Sequence, residues 1–171
     1  MMRVGLILAI TAFAPLAHAE DATKPATCAA PSDDNLPASW AAWKATQSLV
    51  PATDAAKSPD VTPGHAYALT LSPVAQIIYP VSADKPLVAN TFGGLLSLKL
   101  AEGGTYGIAL DGKAWIDVVK DGAIVKSVSH DHGPACTTVR KTVDFKLDPG
   151  LYAIQIANAP VANLKLAIIS K

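Results

Sequence analysis

From His65 to the C-terminus, apolar residues recur at every second position, and this alternation constrains the fold of the 171-residue chain more than any other feature. Tyr67, Leu69 and Leu71 alternate with Ala66, Ala68 and Thr70, the pattern of a strand buried on one face. Residues 75–79 form a second candidate, stopped by Pro80, and residues 80–94 read as a loop. Leu96, Leu98 and Leu100 share the next face, and the period continues through 105–110, 114–119, 124–128, 139–147, 151–157 and 164–170. The connections are too short for the crossover that a parallel pair requires. About nine strands with no helix between them therefore predict an all-β fold, an antiparallel two-layer β-sandwich, with a closed barrel as the alternative.

Turn chemistry supports this reading. Asp121-Gly122 suits a type I′ turn, whose two central residues both need positive φ, and it joins residues 115–119 to 124–128 as a hairpin. Gly104-Thr-Tyr-Gly-Ile108 and Gly150-Leu-Tyr-Ala-Ile154 repeat one arrangement, a turn glycine followed two residues later by tyrosine. Such a tyrosine can bury its ring under a corner while its hydroxyl bonds nearby backbone, as in the tyrosine corner of sandwich domains.

The first 64 residues read differently. Met1-Met2-Arg3, an apolar run to Leu16 and Ala17-His18-Ala19 have the form of a signal peptide over residues 1–19, too short to span a bilayer. Its removal leaves roughly 150 residues, enough for one domain with its own core. Residues 20–64 read as a flexible leader with a short helix around Trp40 and Trp43 and a proline-rich connector, ahead of a sandwich domain at 65–171. Ser39 is placed to cap the helix, and the tryptophans at i and i+3 share a face that packs on the sandwich or offers a sugar platform. Without Arg3 the chain holds 13 basic against 14 acidic residues. With no basic stripe, nucleic acid is excluded as a partner, and no later stretch is long and apolar enough for a membrane span. A periplasmic or secreted protein is expected.

Chemistry-bearing residues concentrate in Ser127-Val-Ser-His-Asp-His-Gly-Pro-Ala-Cys136. In an oxidising compartment the two cysteines, Cys28 and Cys136, most simply form one disulfide, a thiolate metal ligand or a nucleophile being the alternatives. His130 and His132 could reach one ion, with Asp131 or His65 as the third ligand. A two-histidine-one-carboxylate set suits Fe, and three histidines suit Zn or Cu; no other cofactor is expected. On a continuing strand, however, Asp131 would point to the opposite face. Trp115, Asp117 and Arg140 are candidate ligand-facing residues, with a solvent-facing or Arg140-paired Asp117 as the structural alternative. Lys141 falls in the apolar register of Val139 and Val143, so it is expected near a sheet end with its charge reaching water.

Leu100-x-x-Gly-Gly-Thr-Tyr-x-Ile and Phe145-x-Leu-x-Pro-Gly-x-Tyr-x-Ile-x-Ile resemble the strand openings of bacterial pre-peptidase C-terminal domains. That resemblance implies a jelly-roll-like sandwich acting as a binding or targeting module. Residues 114–119, His130-x-His-Gly-Pro-x-Cys136 and Arg140-Lys141 are similar to a group of small exported proteobacterial proteins, some of which carry the name homogentisate 1,2-dioxygenase. Enzymes of that name resemble cupins of several hundred residues with an iron site, and no cupin signature is present. The expected function is an exported, non-enzymatic module that binds a protein, a saccharide or a small ligand. The alternatives are a metal-binding protein using residues 130–132 and, by that second resemblance, an iron enzyme.

Overall fold

The computed structural model describes residue 28, residues 30–34 and residues 36–171. The leader expected at 1–19 lies outside the described residues. Two six-stranded sheets face each other. The first runs β1 (Thr46–Leu49), β3 (Ala66–Thr70), β12 (Asn163–Ser170), β6 (Gly104–Leu110), β10 (Lys141–Leu147), β9 (Ser129–Asp131). The second runs β2 (Asp60–Val61), β5 (Phe92–Leu100), β11 (Gly150–Ala159), β7 (Trp115–Lys120), β8 (Ala123–Val125), with β4 (Ser72–Pro73) beside β5. The all-β sandwich expected from the alternation is the fold.

Its sheets are mixed, which corrects the expectation of a purely antiparallel arrangement. β1 pairs with β3, and β2 with β5, in parallel. Both added strands come from upstream of residue 65, where the sequence suggested only a leader and connector. The segments between the paired strands are long enough to bring the chain back to the same end, which a hairpin turn cannot do.

The core follows from the period of two. Leu96, Leu98, Ile116, Val118, Ile154 and Ile156 of one sheet meet Tyr67, Leu69, Ile108, Val143, Phe145, Leu166 and Ile168 of the other. Most connections carry the chain from one sheet to the other, so β6 and β7 are not hairpin partners although only residues 111–114 separate them. The two tyrosines stand where the chain changes sheet. Tyr106 Oη donates to the Glu102 carbonyl at 2.9 Å and Tyr152 Oη to the Asp148 carbonyl at 2.8 Å, and both rings are buried. Asp121 and Gly122 have φ of 49° and 77°, as the type I′ turn between β7 and β8 requires.

The N-terminal segment is strapped over the outer face of the first sheet. Ala66, Ala167 and Ala109 lie side by side across β3, β12 and β6 and make a flat apolar floor. Trp43 settles on it, fully buried, with Leu36, Val139 and Ile169 around it. The short N-terminal helix expected here is not supported as an α-helix. Residues Ala38–Lys44 form a 3₁₀ segment preceded by Pro37, and no side chain caps it. Packing of Trp43 on the sheet, rather than capping by Ser39, sets its conformation. Cys28 and Cys136 are joined by the expected disulfide, with Cα atoms 5.4 Å apart, and Ser32 N donates to the Cys136 carbonyl.

Candidate functional site

A gap in strand pairing creates the site. β8 pairs with only the last three residues of β7, Val118 to Lys120. The free edge of β7 at 115–117 is therefore left uncovered, and the chain departs at 126–128 toward the other sheet to form β9. A cavity of about 520 Å³ occupies this gap. Ile116, Ile124, Val125, Val143 and Phe145 supply apolar walls, while Trp115, Asp117, His130, Lys141, Lys126, Ser127 and Asp84 supply its polar groups.

Trp115 and Asp117 lie two apart on the outer face of β7, beside Gln155 of β11. The indole Nε1 donates to Asp117 Oδ1 at 2.8 Å, and Asp84 N donates to Asp117 Oδ2 at 3.2 Å. The loop carrying Asp84 is held over this face by Val81 N, which donates to Gln155 Oε1, and by Tyr79 Oη, which donates to the Ile156 carbonyl. Gly93 is required here, because a Cβ would collide with the Ile156 carbonyl and the Tyr79 hydroxyl. Asp117 is only 3% exposed. Burial raises its carboxyl above the usual range, hydrogen bonds from Trp115 and Asp84 oppose the rise, and the Asp84 charge adds to it. Burial, with the Asp117 charge second, pushes the Tyr79 hydroxyl up to about 12.

Lys141 reaches this group from the opposite sheet. It is the first residue of β10, as expected for a lysine in an apolar register, but its head turns inward. Lys141 Nζ donates to the Ala114 carbonyl at 2.8 Å and lies 5.8 Å from the centre of the Trp115 ring. Lys85 Nζ lies over the same ring at 5.2 Å. Burial lowers the Lys141 ammonium below the ordinary lysine range.

Of the residues singled out in the sequence, Trp115, Asp117, Ser127, His130 and Lys141 come together at this cavity, whereas Asp131, His132, His65 and Arg140 do not. His130 sits opposite Val143 in β9, which turns it to the cavity side. Asp131 sits opposite Thr142 on the other face, the inversion expected on a strand, and its Oδ1 accepts from His132 N at 2.7 Å. The His132 ring lies 3.4 Å from the Arg140 carbonyl, and His65 contacts the Pro63 carbonyl at the far side of the same sheet. Among the described residues no three histidine, cysteine or acidic side chains gather as a metal site. Arg140 is exposed and makes no ion pair with Asp117, which corrects the idea of an Arg140-paired or solvent-facing Asp117. Arg140 stands just ahead of β10 and faces outward, while the backbone of Asp84 in the 80–90 loop covers Asp117. Trp40 and Trp43 meet edge to face at 6.1 Å and serve packing.

Sequence reasoning missed Lys85, Asp84 and the cavity itself. Lys141 carried a legible signal, a charge in an apolar register.

Fold and site together define a disulfide-tied β-sandwich with a side-opening, partly apolar cavity. No protein-family model matches the chain, and no curated protein matches it. Among the described residues no helix is long and apolar enough to cross a membrane, and the disulfide points to an oxidising, non-cytoplasmic compartment.

Proposed function

We propose that this protein is an exported, non-enzymatic β-sandwich binding module, periplasmic or secreted, that takes a small ligand into the cavity between β7, β8 and β10. The observation that carries this reading is the cavity of about 520 Å³, where apolar walls from both sheets meet a set of convergent polar groups. Ligand sites usually measure about 300–1,000 Å³ and have this make-up. The likeness of residues 90–170 to pre-peptidase C-terminal domains supports a binding role, and the signal-peptide pattern and the disulfide support export. A saccharide fits less well, because a stacked sugar needs an open aromatic face and Trp115 already has Lys85 and Lys141 over its ring.

The test uses N-phenyl-1-naphthylamine, a neutral dye that brightens in apolar surroundings. Purified protein should give a saturable signal with one site per chain. Val125→Trp, which fills the cavity, should abolish that signal while the circular-dichroism spectrum stays that of the wild type. A signal that survives Val125→Trp, or none with the wild type, sinks the proposal.

A further inference from the structure

We infer that the cavity selects an apolar molecule carrying a single carboxylate, and that Lys141 is the group that holds this carboxylate. The inference rests on the binding reading above and deepens it. Lys141 lies in the core-facing register of Val143 and Phe145, so its stem runs along the apolar wall and its ammonium ends inside the mouth. An ammonium has three donors, and Lys141 gives one to the Ala114 carbonyl. The ion pairs among the described residues are Lys165 with Asp33 and Lys171 with Asp144, and Lys141 belongs to neither. A half-buried cation whose partners are one carbonyl and one aromatic ring lacks a counter-charge. Burial is also the one cause acting on its ionisation, with no neighbouring carboxylate opposing it.

The two acids in the same cavity define the class further. Each oxygen of Asp117 already accepts one hydrogen bond, from Trp115 Nε1 and Asp84 N, and the side chain is buried, which leaves it poorly placed to bind a cationic ligand. With Asp84 it repels a dianion such as a phosphate monoester, whereas a single carboxylate aimed at Lys141 meets one charge with one charge. The apolar residues behind Lys141, Val143 and Phe145 among them, take the body of the molecule.

Octanoate and 1-octanol provide the comparison, since they share a chain length and differ in the head group. Each displaces bound N-phenyl-1-naphthylamine from the wild-type protein at neutral pH. Octanoate should displace at a concentration at least about tenfold lower, as a charge-assisted hydrogen bond in a partly dry site implies. Added NaCl should narrow that ratio. Lys141→Met should bring it close to one with the 1-octanol midpoint unchanged, and Lys146→Met, at an exposed lysine of β10 outside the cavity, should leave it as it was. Equal midpoints in the wild type, or a preference for 1-octanol, overturn the inference while dye binding leaves the cavity reading intact. A ratio that responds to Lys126→Met and not to Lys141→Met overturns the assignment of Lys141. Absence of dye binding removes both readings. Should Lys141→Met fail to fold, the wild-type ratio and its salt response still decide, because a salt-independent ratio overturns the inference.

Discussion

Two regions of this molecule combine a tryptophan, a lysine and an aspartate, and they use them in opposite ways. Under the N-terminal strap, Trp43 Nε1 donates to Thr138 Oγ1, and Thr138 gives its own hydroxyl and backbone N–H to the two oxygens of Asp33. Lys165 closes the group, 4.4 Å over the Trp43 ring and 3.7 Å from Asp33. Charge meets charge, and each donor has its acceptor. At the cavity, Trp115 and Asp117 bond each other, and Lys141 and Lys85 stand over the ring without an acid of their own. The same residue types thus make a latch in one place and a mouth whose lysines and acids form no ion pair in the other. Ionisation follows the same division. Burial alone would raise Asp33, but hydrogen bonds from Thr138 and the charge of Lys165 outweigh it and hold the carboxyl below 3.8. At Asp117 burial wins and the carboxyl rises.

Truncating the two tryptophans tests this contrast most severely. Trp43→Ala removes a fully buried ring and is expected to cost about 3–5 kcal/mol in urea unfolding. Trp115→Ala, at the half-open mouth, should cost about 1–2 kcal/mol yet weaken dye binding by about tenfold or more. Equal stability losses at the two sites would erase the distinction. Next in size is the disulfide. The double change Cys28→Ser, Cys136→Ser opens a 108-residue separation and should cost about 2–4 kcal/mol with dye affinity unchanged. A parallel loss of affinity would show strap and cavity to be one unit.

The smallest expected effect is the pH response. Asp33 has a lowered folded pKa, so its contribution is present above 3.8 and is lost as pH falls through the folded value. Asp117 has a raised one, so the native state holds its proton more tightly and stability falls as pH rises from 3.8 through the folded value. Melting temperature against pH should therefore have a shallower acid limb in Asp33→Asn, and Asp117→Asn should flatten its decline toward neutrality. If Asp33→Asn and Asp117→Asn altered the same limb, the assigned opposition between them would be wrong.

Much of the architecture was legible because it depends on local rules. A period of two decides which side chains face inward, Asp121-Gly122 can close a hairpin at positive φ, and a tyrosine two residues after a turn glycine reaches the carbonyl four residues before it. The two parallel edge strands were not legible. Residues 60–61 are too few to show a period, and their partners lie far along the chain. The candidate site divided in the same manner. Trp115, Asp117 and His130 stood out by residue type, but whether the two histidines, Asp131 and His65 share a point in space depends on strand ends that no spacing rule describes.

By itself the sequence determined an all-β fold and its corners and favoured the sandwich and the disulfide, since alternation and turn chemistry act over a few residues and two cysteines allow one pairing. Only the tertiary structure decided where chemistry can occur. The cavity exists because β8 pairs with only the last three residues of β7, and Lys141 reaches it from the other sheet. Both facts concern how two layers are juxtaposed, and the energy of bringing a charge beside an aromatic ring is set by that distance and burial, which residue order does not specify.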